Sequence, residues 1–149
     1  MLAIVCFGTT DEINFSKNQA GGDTVIVQTQ SIGTVCSKYK RQGLFKNLVE
    51  LNNEFNPHKA YDPNCSNTIS QQVDFSRQDL ILIDEAIGGC DPPTVAYKLL
   101  KIDELKKYVF VVNITQNGYC KVLFPVIVSV KCEKLDSSYS FEYKIEQIK

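Results

Sequence analysis

The chain changes its hydrophobic rhythm three times. Thr24-Val25-Ile26-Val27-Gln28-Thr29-Gln30 is β-prone, with Val25, Val27 and Thr29 on one face. The pattern predicts a strand that continues through Ile32 and Val35. The rhythm then becomes helical: Leu44, Leu48, Leu51 and Phe55 recur at i, i+4, i+7 and i+11, with Phe45 and Val49 widening the stripe. Asn56-Pro57 ends this amphipathic helix, because proline disfavours helical geometry at the residue before it.

Residues 58–72 read as a surface loop, and from Val73 the chain becomes strand-like. Leu80-Ile81-Leu82-Ile83 suits a buried strand, and Gly88-Gly89-Cys90-Asp91-Pro92-Pro93 predicts a turn. Two further β-prone segments cover 94–102 and 107–115. Asn117-Gly118 then predicts a type I′ hairpin, whose central residues need positive φ. Val122 to Cys132 forms another strand, followed by a turn at Leu135-Asp136-Ser137-Ser138. From Tyr139 to Glu146 apolar and polar residues alternate, as in a half-buried final strand. The fold class expected is α+β: one amphipathic helix packed on a mainly antiparallel sheet of about five to seven strands.

Length and charge narrow this picture. A chain of 149 residues fits a single domain, 1–149, with its core at 24–147. Residues 1–23 read either as an N-terminal strand and loop or as the remnant of an export signal. No apolar run approaches the roughly 20 residues of a membrane-spanning helix. The net charge of −1 provides no global basic field for nucleic acid. The basic run Lys38, Lys40, Arg41 and Lys46 reads as the solvated start of the helix.

The six cysteines carry the strongest chemical signal. They are spaced 30, 29, 25, 30 and 12 residues apart, without a Cys-x-x-Cys, which favours structural disulfides over a zinc site. That pattern places folding in an oxidising, extracytoplasmic compartment: periplasm, outer-membrane surface or secreted. Cys90–Cys120 is the preferred pair, and Cys36–Cys65 a second that would tie the segments flanking the helix. Leu2-Ala3-Ile4-Val5-Cys6 is close to a lipoprotein cleavage site, giving a lipid anchor at Cys6 as an alternative to an ordinary cysteine.

Catalytic signatures are sparse. His58 is the one histidine, so a multi-histidine metal site is ruled out and any Cys–His or Ser–His pair depends on it. There is no Gly-x-Ser-x-Gly elbow. Asp79, Asp84, Glu85 and Asp91 read as solvated strand ends rather than an acid–base pair. Gly88-Gly89 lacks the Gly-Lys-Ser/Thr that completes a phosphate loop. No catalytic residue, metal or cofactor is expected. Asn14, Asn64 and Asn113 begin glycosylation sequons.

Two stretches carry a family resemblance. Val73-Asp74-Phe75-Ser76-Arg77-Gln78-Asp79-Leu80-Ile81 precedes Gly88-Gly89-Cys90, and Tyr108 to Ile114 precedes Gly118-Tyr119-Cys120. This resembles small exported Bacteroidetes-type proteins and lipoproteins. More remotely it resembles the C-terminal domain of the B-type component of a protease complex, where an amphipathic helix precedes an Asp-Phe-Ser strand and a glycine-rich turn. The resemblance implies a non-enzymatic accessory or adaptor module of the cell envelope that binds a protein partner. The expected contact surface is Gly88, Gly89, Asp91, Pro92 and Pro93. The alternatives are a secreted protease inhibitor or small hydrolase, and a structural component of a surface assembly.

Overall fold

The structure, a computed structural model, describes residues 24–32, 41–55 and 69–149. It is a mostly antiparallel six-stranded sheet with one short helix. The elements are β1 (Thr24–Val27), β2 (Thr29–Ser31), β3 (Arg41–Phe45), α1 (Leu48–Phe55), β4 (Gln78–Ile102), β5 (Lys107–Glu133) and β6 (Ser140–Ile148).

The expected meander of short strands is replaced by one very long hairpin. β4 and β5 pair from Gln78↔Glu133 to Ile102↔Lys107, reversing at Asp103–Lys106, where Lys106 has a φ of 45°. Neither predicted reversal inside this hairpin exists. Gly88–Pro93 and Asn117-Gly118 both lie within continuous strands, where their backbone irregularities make bulges instead of turns.

A straight strand of 27 residues would be roughly 90 Å long. Yet only residues 134–139 separate its last residue from Ser140, which pairs with Lys107 at its start. Those six residues reach at most about 25 Å. The ribbon must therefore fold back on itself. β1 and β2 require the same: Val27 pairs with Leu99 and Thr29 with Cys132, with Gln28 alone between them.

Folding the ribbon creates two layers. β3, the first part of β4, the last part of β5 and β2 make one. β1, the rest of β4, the start of β5 and β6 make the other. Their facing sides share a core that includes Ile81, Ile83, Leu99, Phe110, Val112, Val128 and Val130. Phe141, Tyr143 and Ile145 of β6 pack against it, as the alternation of that strand predicts. β6 itself runs parallel to β5, an exception in the otherwise antiparallel sheet.

A second cluster covers the opposite side of the first layer, with Phe45, Leu51, Ile69, Val73, Leu80 and Leu82. Here the helical stripe needs correction. Leu44 and Phe45 belong to β3, and the helix starts at Leu48. The cause is the cap at Asn47: its Oδ1 accepts the Glu50 N–H at 2.9 Å, while Glu50 Oε2 reaches back past the cap to accept the Lys46 N–H at 2.7 Å. Leu51 is fully buried, whereas Leu48 and Val49 are exposed. A Cβ on Gly43 would lie 2.5 Å from the buried Phe45 ring, which would then have to move.

Asp74-Phe75-Ser76 is a turn, not the opening of a strand. Asp74 Oδ1 accepts the Ser76 N–H at 3.0 Å and its hydroxyl at 2.6 Å. Asp136-Ser137-Ser138 repeats the motif at 2.9 and 2.8 Å. Each Asp-x-Ser turn stands four residues before a strand, β4 in one case and β6 in the other. The second turn closes the open end of the folded ribbon. Tyr108 OH accepts the Asp136 N–H, Ser140 N–H donates to Lys106 O, and Tyr139 OH donates to Asp103 Oδ1 at 2.5 Å.

Candidate functional site

The end of the molecule opposite that closure is the bend of the ribbon, and it concentrates the unusual chemistry. Between the pairs Gly89↔Val122 and Asp91↔Asn117, β5 has four residues, 118–121, against Cys90 alone. Between Asp91↔Asn117 and Thr94↔Thr115 the excess reverses: Pro92 and Pro93 face Gln116. Two successive bulges on opposite strands turn the ribbon sharply.

Cys90 and Cys120 are joined by a disulfide that ties down the larger bulge, as the sequence predicts. The flanking glycines are there for backbone reasons. Gly118 has φ of +77°, and a Cβ on it would lie 2.6 Å from Cys90 Sγ. A Cβ on Gly89 would come within 3.0 Å of Asn117 O and 3.1 Å of Asp91 O. Side chains brace the rest: Asn117 Nδ2 donates to Pro92 O at 2.6 Å, and Gln116 Nε2 to Gly118 O at 2.8 Å.

What this frame presents is apolar. Tyr119 is 82 % exposed, Leu123 72 % and Val122 51 %. Opposite Val122 and Leu123 stand Gly89 and Gly88, which carry no side chains to cover them. Asp91 and Lys121, both exposed, are the charged residues of 88–93 and 116–125. The glycines and prolines singled out in the sequence thus shape the bend, while Tyr119, Val122 and Leu123 supply most of its exposed apolar side chains. Their signal was readable only in part: Tyr119 sits inside Gly118-Tyr119-Cys120, but nothing in Val122-Leu123 distinguishes an exposed pair from core.

The carboxylates singled out on β4 behave differently from expectation. Asp79 and Asp84 are buried rather than solvated. Asp79 binds Lys134 Nζ at 2.6 Å and accepts the Leu135 N–H at 3.0 Å. Lys134 also donates to Lys46 O, so Asp79 anchors the start of the 134–139 connection to the entrance of α1. Strand alternation puts Asp79 and Asp84 on opposite faces of β4, so they cannot act as one acid–base pair. Cys132 is a buried free thiol, pushed up to about 12 by burial and then by the Asp79 charge, which makes it a poor nucleophile.

Among the described residues no group of three or more His, Cys, Asp or Glu is placed to hold a metal ion, and no helix is long and apolar enough to cross a membrane. Asn113 lies in β5 with its Oδ1 buried and unpartnered, an unsuitable position for a glycan. Cys6, Cys36, Cys65, His58, Asn14, Asn64, Val35, Lys38 and Lys40 lie outside the described residues.

No protein-family model matches the chain, and neither a curated protein nor a solved structure does.

Proposed function

We propose that this chain is a non-enzymatic, extracytoplasmic binding module that engages a protein partner of the cell envelope through the disulfide-tied bend. The observation that carries the reading is the combination at one end of the molecule of a covalent cross-link and exposed apolar side chains. A disulfide persists in an oxidising compartment, which supports export. Exposed aromatic and aliphatic groups on a braced frame are what binding surfaces use, since ordering costs are already met. On this reading Cys6 is a candidate lipid anchor.

The test is paired co-purification from gently extracted native envelopes, using wild type and a Tyr119→Ser/Leu123→Ser variant. A partner recovered in stoichiometric amount by the wild type and lost by the variant is expected. Equal recovery by both, or none by either, rejects the bend as the contact surface. Fractionation, with intact mass before and after reduction, checks compartment, bridge count and any acyl group on Cys6.

A protease inhibitor is the second reading, favoured by Tyr119 projecting from a disulfide-tied segment. Titration against a serine protease that prefers aromatic residues tests it: saturable inhibition lost in Tyr119→Ala supports it, and simple cleavage rejects it.

A further inference from the structure

We infer that the bend is recognised as a side-chain knob, gripped on both sides by an apolar cleft of the partner protein whose rim carries a carboxylate, and not by addition of a strand. This rests on the protein-binding reading above and specifies the partner's surface.

Strand addition requires free N–H and C=O groups along an edge. At the bend both strands carry prolines: Pro92 and Pro93 on β4, Pro125 on β5. Pro92 and Pro93 offer no N–H on β4, and the 118–121 bulge breaks the regular edge of β5 ahead of Pro125, so neither strand presents a regular row of donors to a third. What remains to be read is side chains.

Those side chains do not lie on one plane. Val122 and Leu123 are consecutive in a strand and point to opposite faces of the ribbon. Both are exposed, and the residues facing them are Gly89 and Gly88. The ribbon is therefore thin here and apolar on both sides, with Tyr119 projecting from the bulge beside it. A flat surface can cover only one of the two faces, whereas a two-walled cleft can cover both.

The same geometry argues against other occupants. A membrane is flat, and three apolar side chains fall short of even one acyl chain, which alone gives marginal binding. Two copies meeting bend to bend would cover only one face of each ribbon and leave the other apolar side exposed. A deep cleft instead concentrates affinity in an anchor such as Tyr119. Lys121, inside the bulge, calls for the carboxylate at the rim, and exposed Asp91 on the facing strand for a positive group beside it.

Site-specific photo-crosslinking tests this in intact cells that make the full chain. A photoreactive phenylalanine analogue is installed singly at Tyr119, Val122, Leu123, Asp91 or Pro92, with Leu105 in the hairpin turn as the remote control. Intact mass and a native thermal transition establish that each variant is folded and cross-linked. The expected result is one protein adduct common to positions 119, 122 and 123 and missing from 105. Its yield falls several-fold in Lys121→Glu and in Cys90→Ser/Cys120→Ser. An adduct from only one of Val122 and Leu123 overturns the cleft, an adduct of twice the chain's mass indicates a second copy, and label in the lipid fraction indicates a membrane. Adducts from Asp91 or Pro92 alone overturn the knob but keep the protein-binding reading. Adducts from no position overturn both.

Discussion

Removing the disulfide with Cys90→Ser/Cys120→Ser tests how the bend is held. The bridge closes a loop with a sequence separation of 30 residues. In the chain-entropy treatment such a closure removes about 12 cal/mol/K from the unfolded ensemble, or about 3.6 kcal/mol at 25 °C. Both cysteines are exposed, so replacing them by serine takes little apolar surface from the core. The expected loss is thus about 3 kcal/mol. With a urea m-value of about 2 kcal/mol/M, the midpoint should fall by about 1.5 M. The m-value itself should rise, because the uncrosslinked chain unfolds to a more extended ensemble. Gly118→Ala supplies an internal check: its Cβ meets Cys90 Sγ, so it should cost more in the bridged protein than in the double-serine variant. A loss under about 0.5 kcal/mol with an unchanged m-value would refute this reasoning. It would mean that the ladder and the Asn117 and Gln116 hydrogen bonds fix the bend unaided.

Three further outcomes are expected. Lys134→Met should destabilise the protein by about 3–5 kcal/mol and Asp79→Asn by less, because the first strands a buried carboxylate and the second leaves a partly exposed ammonium that water can solvate; the reverse order in urea melts rejects the clasp. Cys132 should resist alkylation at pH 8 in the folded protein and react on unfolding, as judged by peptide mapping, since its thiol is pushed up to about 12 by burial; rapid labelling of the native state contradicts this. The third concerns acid. Asp103 is held below the ordinary carboxylate range by Lys101 and then Tyr139, Asp136 by the Ser138 N–H and hydroxyl, and Asp74 by the Ser76 hydroxyl and N–H. A depressed carboxylate binds its proton later in the folded state, so its stabilisation is complete above about pH 4 and is lost as pH falls through the folded value. The melting temperature should decline below pH 4, and less steeply after Asp103→Asn; identical acid profiles would exclude that contribution.

The sequence was most readable where backbone chemistry is local. Gly88-Gly89 ahead of Cys90 and Asn117-Gly118 ahead of Cys120, with strand-like segments between them that look paired, pointed to the bridge that the structure contains. Alternation from Tyr139 to Glu146 located β6 and its buried face. The same local rules misled where a bulge and a turn use the same residues. Gly88-Gly89 and Asn117-Gly118 satisfy the requirements of a reversal, yet the chain continues, since pairing on either side of them holds both strands in one ladder. Leu44 and Phe45 fit the helical spacing but pair with Ile81 and Leu80, a contact between segments distant in the chain. The overlooked local signal there was Asn47-x-x-Glu50, which starts the helix at Leu48.

By itself, then, the chain indicated most of its strand-forming segments and a preferred cysteine pair, and it carries no legible catalytic motif. Only the tertiary structure decided that β4 and β5 form one ribbon doubled back on itself, that Asp79 is buried against Lys134, and that Val122 and Leu123 stand exposed. Those outcomes depend on which distant segment lies alongside. A valine or leucine is core or surface according to what packs over it, and at the bend the two residues opposite are glycines.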